Sequence, residues 1–100
     1  MKTLVANLRK HSDTVDVNIM RPSILGNPFR IGLDGTREEV IAKYEFYARD
    51  RLTWDSNFRL AVQGLYGKVL GCCCKPLACH GDVLVKLAEE LNPGAQESGG

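Results

Sequence analysis

The period of hydrophobic and polar positions changes several times along this chain, and each change marks an element. Thr3-Leu4-Val5-Ala6-Asn7-Leu8 is a short apolar run that reads as a strand, followed by a polar turn through Lys10, His11, Ser12 and Asp13. Val15, Val17 and Ile19 then alternate with Asp16 and Asn18, the period of two that marks a half-buried strand. From Arg21 to Gly35 two prolines and three glycines signal a loop, pinned by Leu25 and Phe29 on either side of Gly26-Asn27-Pro28. Thr36 and Glu39 form a capping box, after which Val40, Ile41, Tyr44, Tyr47 and Ala48 follow helical spacing. A second helix is predicted from Asp55 or Ser56, with Phe58, Ala61, Val62 and Leu65 on one face and Gly67 as its terminating residue. Trp54 is expected to anchor the link between these two helices. Lys68 to Cys73 suits a buried strand, and Cys79 to Leu91 a third helix with Val83, Leu84, Leu87, Ala88 and Leu91 inward; Asn92-Pro93-Gly94 stops it.

The resulting order, β-β-loop-α-α-β-α, predicts a small α/β domain, Rossmann-like in its three layers, with a short and mainly parallel sheet. Residues 1–94 form the single domain in this reading and residues 95–100 a flexible tail. In open α/β sheets ligands gather at the carboxyl ends of the strands, where the loops after Ile19 and after Cys73 both fall.

Composition narrows the function classes. The 100 residues are 44% apolar and 25% charged, with a formal net charge of +1, so the strong basic excess of a dedicated nucleic-acid binder is missing. No apolar run is long enough to span a bilayer and the amino terminus has no signal-peptide pattern; a cytoplasmic protein with reduced thiols is expected, with no membrane partner.

The chemistry concentrates in Cys72-Cys73-Cys74-Lys75-Pro76-Leu77-Ala78-Cys79-His80-Gly81-Asp82. All four cysteines and one of the two histidines lie within nine consecutive residues. A disulfide framework does not follow, because bridges inside so short a segment staple no distant parts and adjacent cysteines meet poorly.

Arg21, the Leu25-Gly26-Asn27-Pro28-Phe29 loop, Arg37, Tyr44, Leu65, Gly67-Lys68, Leu70 and Cys72-x-Cys74-x-Pro76-x-x-Cys79-His80-Gly81-Asp82 occur in one order. That order resembles a family of small bacterial and phage proteins known as domain of unknown function 4326. The resemblance spans roughly residues 5 to 91. An aromatic is common in that family between the first two motif cysteines, where this chain has Cys73, which makes Cys73 a packing residue and leaves Cys72 and Cys74 as the motif thiols. The resemblance implies a fold and a site rather than an activity.

Three chemistries compete for this segment. The leading one is a pocket for a phosphorylated or nucleotide-like small molecule, shared between the two loops. Arg21, Arg37 and Lys75 would supply charge, Asn27 would read a base edge or sugar hydroxyl, Gly26 and Pro28 would shape the first loop, and Cys74 and Gly81 would line the second at a helix amino terminus. No resident cofactor is required in this reading. The second is a zinc-stabilised interaction module with Cys72, Cys74, Cys79 and His80 as ligands, although their spacing departs from the usual knuckles. The third is an enzyme acting on a nucleotide, with Cys79 as a thiol activated by the helix amino terminus and His80 and Asp82 as acid–base groups. Buried cysteine also behaves as a small hydrophobe, so Cys72 and Cys79 could instead be core. Completion of the pocket by a second copy of the chain is compatible with a domain of this size.

Overall fold

The structure is a computed structural model that describes residues 3–11, 13–72 and 77–92. Its elements are β1 (Leu4–Asn7), α1 (Leu8–His11), β2 (Val17–Asn18), α2 (Arg37–Trp54), α3 (Ser56–Gln63), β3 (Val69–Cys72) and α4 (His80–Glu90). The described strands form a three-stranded sheet in the order β1-β3-β2, and both pairings are parallel. Leu4 pairs with Val69 and Asn7 with Cys72 on one side of β3, while Val17 pairs with Leu70 and Asn18 with Gly71 on the other. The molecule is therefore a small mixed α/β domain whose last strand in sequence is the central one in space.

Capping chemistry sets the helix boundaries. The Glu39 N–H donates to Thr36 Oγ1 at 3.3 Å and the Thr36 N–H donates to Glu39 Oε1 at 2.9 Å, so the expected capping box starts α2. Asp55 serves both neighbours: its N–H closes α2 on the Arg51 carbonyl at 2.8 Å, and its carboxylate accepts from Phe58 N–H at 3.1 Å to open α3. Tyr44 and Ala48 lie buried at successive turns of α2 in one core with Phe58 and Val62 of α3 and Val83, Leu84, Leu87 and Ala88 of α4, while Val40, one turn earlier, is buried at the cleft. Leu70, Cys72 and Ile19 bring the sheet into the same core. On the surface, Arg49 of α2 forks onto Glu90 of α4 at 2.9 and 3.0 Å while Lys86 reaches Glu45 at 3.0 Å. Exposed pairs of this kind contribute roughly 0.2–1 kcal/mol each, so the apolar faces hold the two helices together.

Four local expectations are corrected. The polar turn after β1 is preceded by a one-turn helix, α1, started by the Asn7 side chain accepting from Arg9 N–H at 2.8 Å. Val15, Val17 and Ile19 are more buried than Asp16 and Asn18, as their alternation implies, but the strand is confined to Val17–Asn18 and Val15 lies outside it. A Cβ on Gly71 would meet Val15 Cγ1 at 2.7 Å and Leu8 Cδ2 at 2.8 Å, so Val15 and α1 press on the sheet face opposite to Leu70 and Cys72. Gly64, not Gly67, caps α3; Gly67 takes φ of 78° in the tight turn into β3, where its N–H donates to Thr3 Oγ1 at 2.8 Å. Trp54 stays 67% exposed with its indole N–H on Asp50, and Arg51 does the anchoring instead. The Arg51 guanidinium lies 4.7 Å from the Phe58 ring centroid and bonds to Asp55 at 2.7 Å.

No helix among the described residues is long and apolar enough to cross a membrane. The expected carboxyl-terminal tail lies outside the described residues.

Candidate functional site

An open cleft of about 510 Å³ lies at the carboxyl ends of β2 and β3. One wall is the segment after β2, contributing Met20, Arg21, Asn27, Phe29, Arg30 and Ile31. A second is the first turn of α2, with Arg37, Val40 and Ile41, and the floor is Cys72 with Ala78, Cys79 and His80 at the start of α4. The two loops singled out in the sequence thus share one crevice, and the positive ends of two helices open toward it.

The segment after β2 is ordered by several anchors. Leu25 is buried, and Phe29 stacks edge-on against Tyr47 with centroids 6.0 Å apart. Tyr44 Oη donates to the Leu25 carbonyl at 2.9 Å; burial pushes the phenol pKa up, so it stays a donor. Asn27 Oδ1 accepts from Phe29 N–H at 2.9 Å, folding the loop into an Asx turn. Arg21 Nη1 donates to the Asn27 carbonyl at 3.0 Å, spanning the loop's base. This main-chain contact uses one of the guanidinium's five N–H donors. Gly26 allows the close passage beneath: a Cβ there would come within 2.9 Å of the Arg21 backbone nitrogen.

Arg37, at the first position of α2, donates from Nη1 to the Ala78 carbonyl at 3.0 Å. It therefore ties α2 to the approach of α4. Arg30 is the cation that sequence reasoning missed. Its backbone N–H donates to Asp34, while its guanidinium has no partner among the described residues. Its position directly after the pinned Leu25–Phe29 loop was the available signal. Among the described residues three arginines line the cleft and no carboxylate does.

The floor residues have definite surroundings. Cys72 Sγ and Cys79 Sγ lie 3.0 Å apart, both buried. The Cys72 thiol, followed by burial, pushes the Cys79 pKa up, and the Gly81 N–H only partly opposes this. The direction is opposite to the activation expected of Cys79 at a helix amino terminus, because the neighbouring thiol and loss of water prevail over the Gly81 N–H. His80 Nε2 donates to the Ile19 carbonyl at 2.9 Å, and its ring packs edge-on against Tyr44 at 5.0 Å. Asp82 accepts from Cys79 N–H at 3.1 Å, which closes the first turn of α4. Gly81 faces the sheet rather than the cleft, since a Cβ would sit 2.9 Å from Ile19 Cδ1 and 3.0 Å from Val5 Cγ1. The structure brings Arg21, Asn27, Arg37, Cys79 and His80 to one cleft; Gly26 packs against Arg21 and Pro28 is exposed, and neither lines the cleft. Cys74 and Lys75 lie outside the described residues.

Among the described residues no group of three or more His, Cys, Asp or Glu side chains is placed to hold a metal ion. Of the zinc set anticipated above, Cys72 and Cys79 adjoin, while the His80 nitrogen at Nε2 is engaged by Ile19.

Burial lowers the His80 pKa from its ordinary 6.5; the Ile19 and Leu25 carbonyls and Asp82 pull it back, and Arg21 adds to the lowering. The native state therefore binds this proton less readily than the unfolded chain. The resulting stability is complete above pH 6.5 and is lost as pH falls from there through the folded pKa. Urea unfolding at stepped pH should show a midpoint that falls on acidification below 6.5, and His80→Gln should flatten that slope. An unchanged slope in the variant would assign the acid sensitivity elsewhere.

Comparison with known proteins places this chain. The family model described as Domain of unknown function (DUF4326) matches residues 6–90. The chain is also 33% identical over 85 residues to an uncharacterized 12.4 kDa protein of the nrdA-td intergenic region of Enterobacteria phage T4, covering 84% of this chain and 77% of that protein. No solved structure matches. With the family model extending across nearly every element of the fold, the chain belongs to the DUF4326 family.

Proposed function

We propose that the cleft binds a phosphorylated or nucleotide-like small molecule. The observation that carries this reading is the lining: Arg21, Arg30 and Arg37 converge on one crevice that no described carboxylate lines. Unneutralised guanidinium groups around a concave surface are matched by phosphate oxygens, which accept paired N–H donors. Met20, Phe29, Ile31, Val40 and Ile41 give the same cleft an apolar side suited to a base or another flat ring. The Asn27 amide nitrogen, opposite the Oδ1 that holds Phe29 N–H, is the natural donor to a ring or sugar oxygen. In this reading the fold is a reduced Rossmann-like layer arrangement that uses its strand ends as such folds do.

The protein holds this ligand rather than transforming it. The Cys79 pKa is raised against Cys72, and Asp82 serves the α4 backbone, so among the described residues no nucleophile is paired with a base as an enzyme needs. Thermal-shift and calorimetric titration with inorganic phosphate and the common nucleoside mono-, di- and triphosphates tests the reading. At least one nucleotide should bind, and Arg30→Ala should weaken it about tenfold with little change in stability, as expected for one lost charge-assisted contact. If the panel leaves melting temperature and heat signal unchanged, or Arg30→Ala binds as the parent does, the reading fails.

A further inference from the structure

The two thiols at the cleft floor make a second, independent case. Cys72 ends the central strand and Cys79, with six residues between them in sequence, sits at the N-cap of α4, where the two sulfurs stand 3.0 Å apart. A disulfide needs about 2.05 Å. The sulfurs must approach by only about 1 Å to reach it. Both side chains are buried from bulk solvent, yet both line the open cleft, which gives a small oxidant a route to them.

We propose that Cys72 and Cys79 form a redox pair, converted by a hydroperoxide into an intrachain disulfide that fastens the end of β3 to the start of α4. One thiol loses its proton to solvent, and its sulfur attacks the peroxide, breaking the O–O bond. With hydrogen peroxide this gives a sulfenic acid and, after proton uptake, one water. The second sulfur attacks the sulfenic sulfur, the S–O bond breaks, and the hydroxide leaves with the second thiol proton as another water. Two thiols and one hydrogen peroxide become one disulfide and two waters, with two electrons passing from sulfur to oxygen. The pairing is one that sequence proximity disfavours. Consecutive cysteines Cys72, Cys73 and Cys74 cannot easily bridge one another, whereas strand and helix geometry selects Cys72 and Cys79.

The full chain, treated with hydrogen peroxide at mildly alkaline pH, blocked with N-ethylmaleimide and digested without reduction, should yield a Cys72–Cys79 linkage by tandem mass spectrometry. In a Cys73→Ser/Cys74→Ser background the intact mass should drop by two hydrogens, both remaining thiols should resist maleimide, and dithiothreitol should restore them. Equilibrium against glutathione disulfide should favour the bridge at least about tenfold more in the native chain than in guanidinium, because the fold pre-positions the sulfurs. If the double variant fails to fold, the linkage map of the parent chain decides. Oxygen adducts without a bridge, a bridge only between chains, a link that uses Cys73 or Cys74, or equal equilibria in native and denatured chains would each overturn the proposal. None of these readouts depends on a ligand in the cleft.

Discussion

Replacing Phe58 by alanine should destabilise the protein by about 3–5 kcal/mol, a large share of the roughly 5–15 kcal/mol that holds a domain of this size together. Phe58 is fully buried where α2, α3 and α4 meet. Its ring packs edge-on to Tyr47 at 6.5 Å and lies under the Arg51 guanidinium at 4.7 Å. Truncation would leave a void in a close-packed interior and remove the surface over which Arg51 is held between Asp55 and Tyr47. The check is equilibrium urea unfolding followed by circular dichroism, with Phe58→Leu expected to cost far less because most of the volume is kept. Phe58 does not line the cleft, so the folded fraction of the variant should bind nucleotide as the parent does. A loss below about 1 kcal/mol would mean that the three helices repack around the gap.

The second large effect should come from Tyr44→Phe. The ring remains, and only the hydroxyl that donates to the Leu25 carbonyl is lost. Leaving a buried acceptor short of its donor costs about 1–3 kcal/mol. Here the cost falls on the segment that forms one wall of the cleft. Tyr44 also backs the His80 ring, which in turn holds the Ile19 carbonyl at the start of that segment. Amide hydrogen exchange of residues 25–29 should accelerate more than exchange in the α4 core, and nucleotide affinity should fall together with that protection. Uniform acceleration across the chain would show the hydroxyl to be a general stabiliser with no special hold on the cleft.

Much of this arrangement is legible in the residues themselves. Thr36 and Glu39 announce the start of α2, the apolar spacing of Val83, Leu84, Leu87 and Ala88 gives α4 its buried face, and Leu25 and Phe29 pin their loop as their placement among turn formers implies. These features depend on neighbours three or four positions away, which a linear reading captures. Other features depend on what arrives from elsewhere. Val15 turns to the sheet face where Gly71, far along the chain, leaves a bare surface for it to cover. Trp54 looks like an anchor by type, but Arg51 takes the place because it can satisfy Asp55 and Tyr47 while covering Phe58. For the site, Arg21, Asn27, Arg37, Cys79 and His80 were identifiable as polar or reactive residues in turn-rich segments, whereas Arg30 was overlooked. The opposite-to-expected shift of Cys79 was not readable either. A helix amino terminus is visible in sequence, but the Cys72 sulfur at the end of β3, set against Cys79, is not.

The central position of β3 has a consequence for how the chain acquires its shape. Neither β1 nor β2 has the other as a neighbour; each waits for Val69 to Cys72. The hydrogen bond from Gly67 N–H to Thr3 Oγ1 already spans 64 residues, and the contacts that unite the sheet are of similar reach. Closing such long loops delays the sheet without preventing α2 and α3 from forming locally. During synthesis, a nascent chain that has not yet released β3 from the ribosome carries two lone strands and an unfinished cleft. The wall, the floor and the strand that joins them come together in one late step.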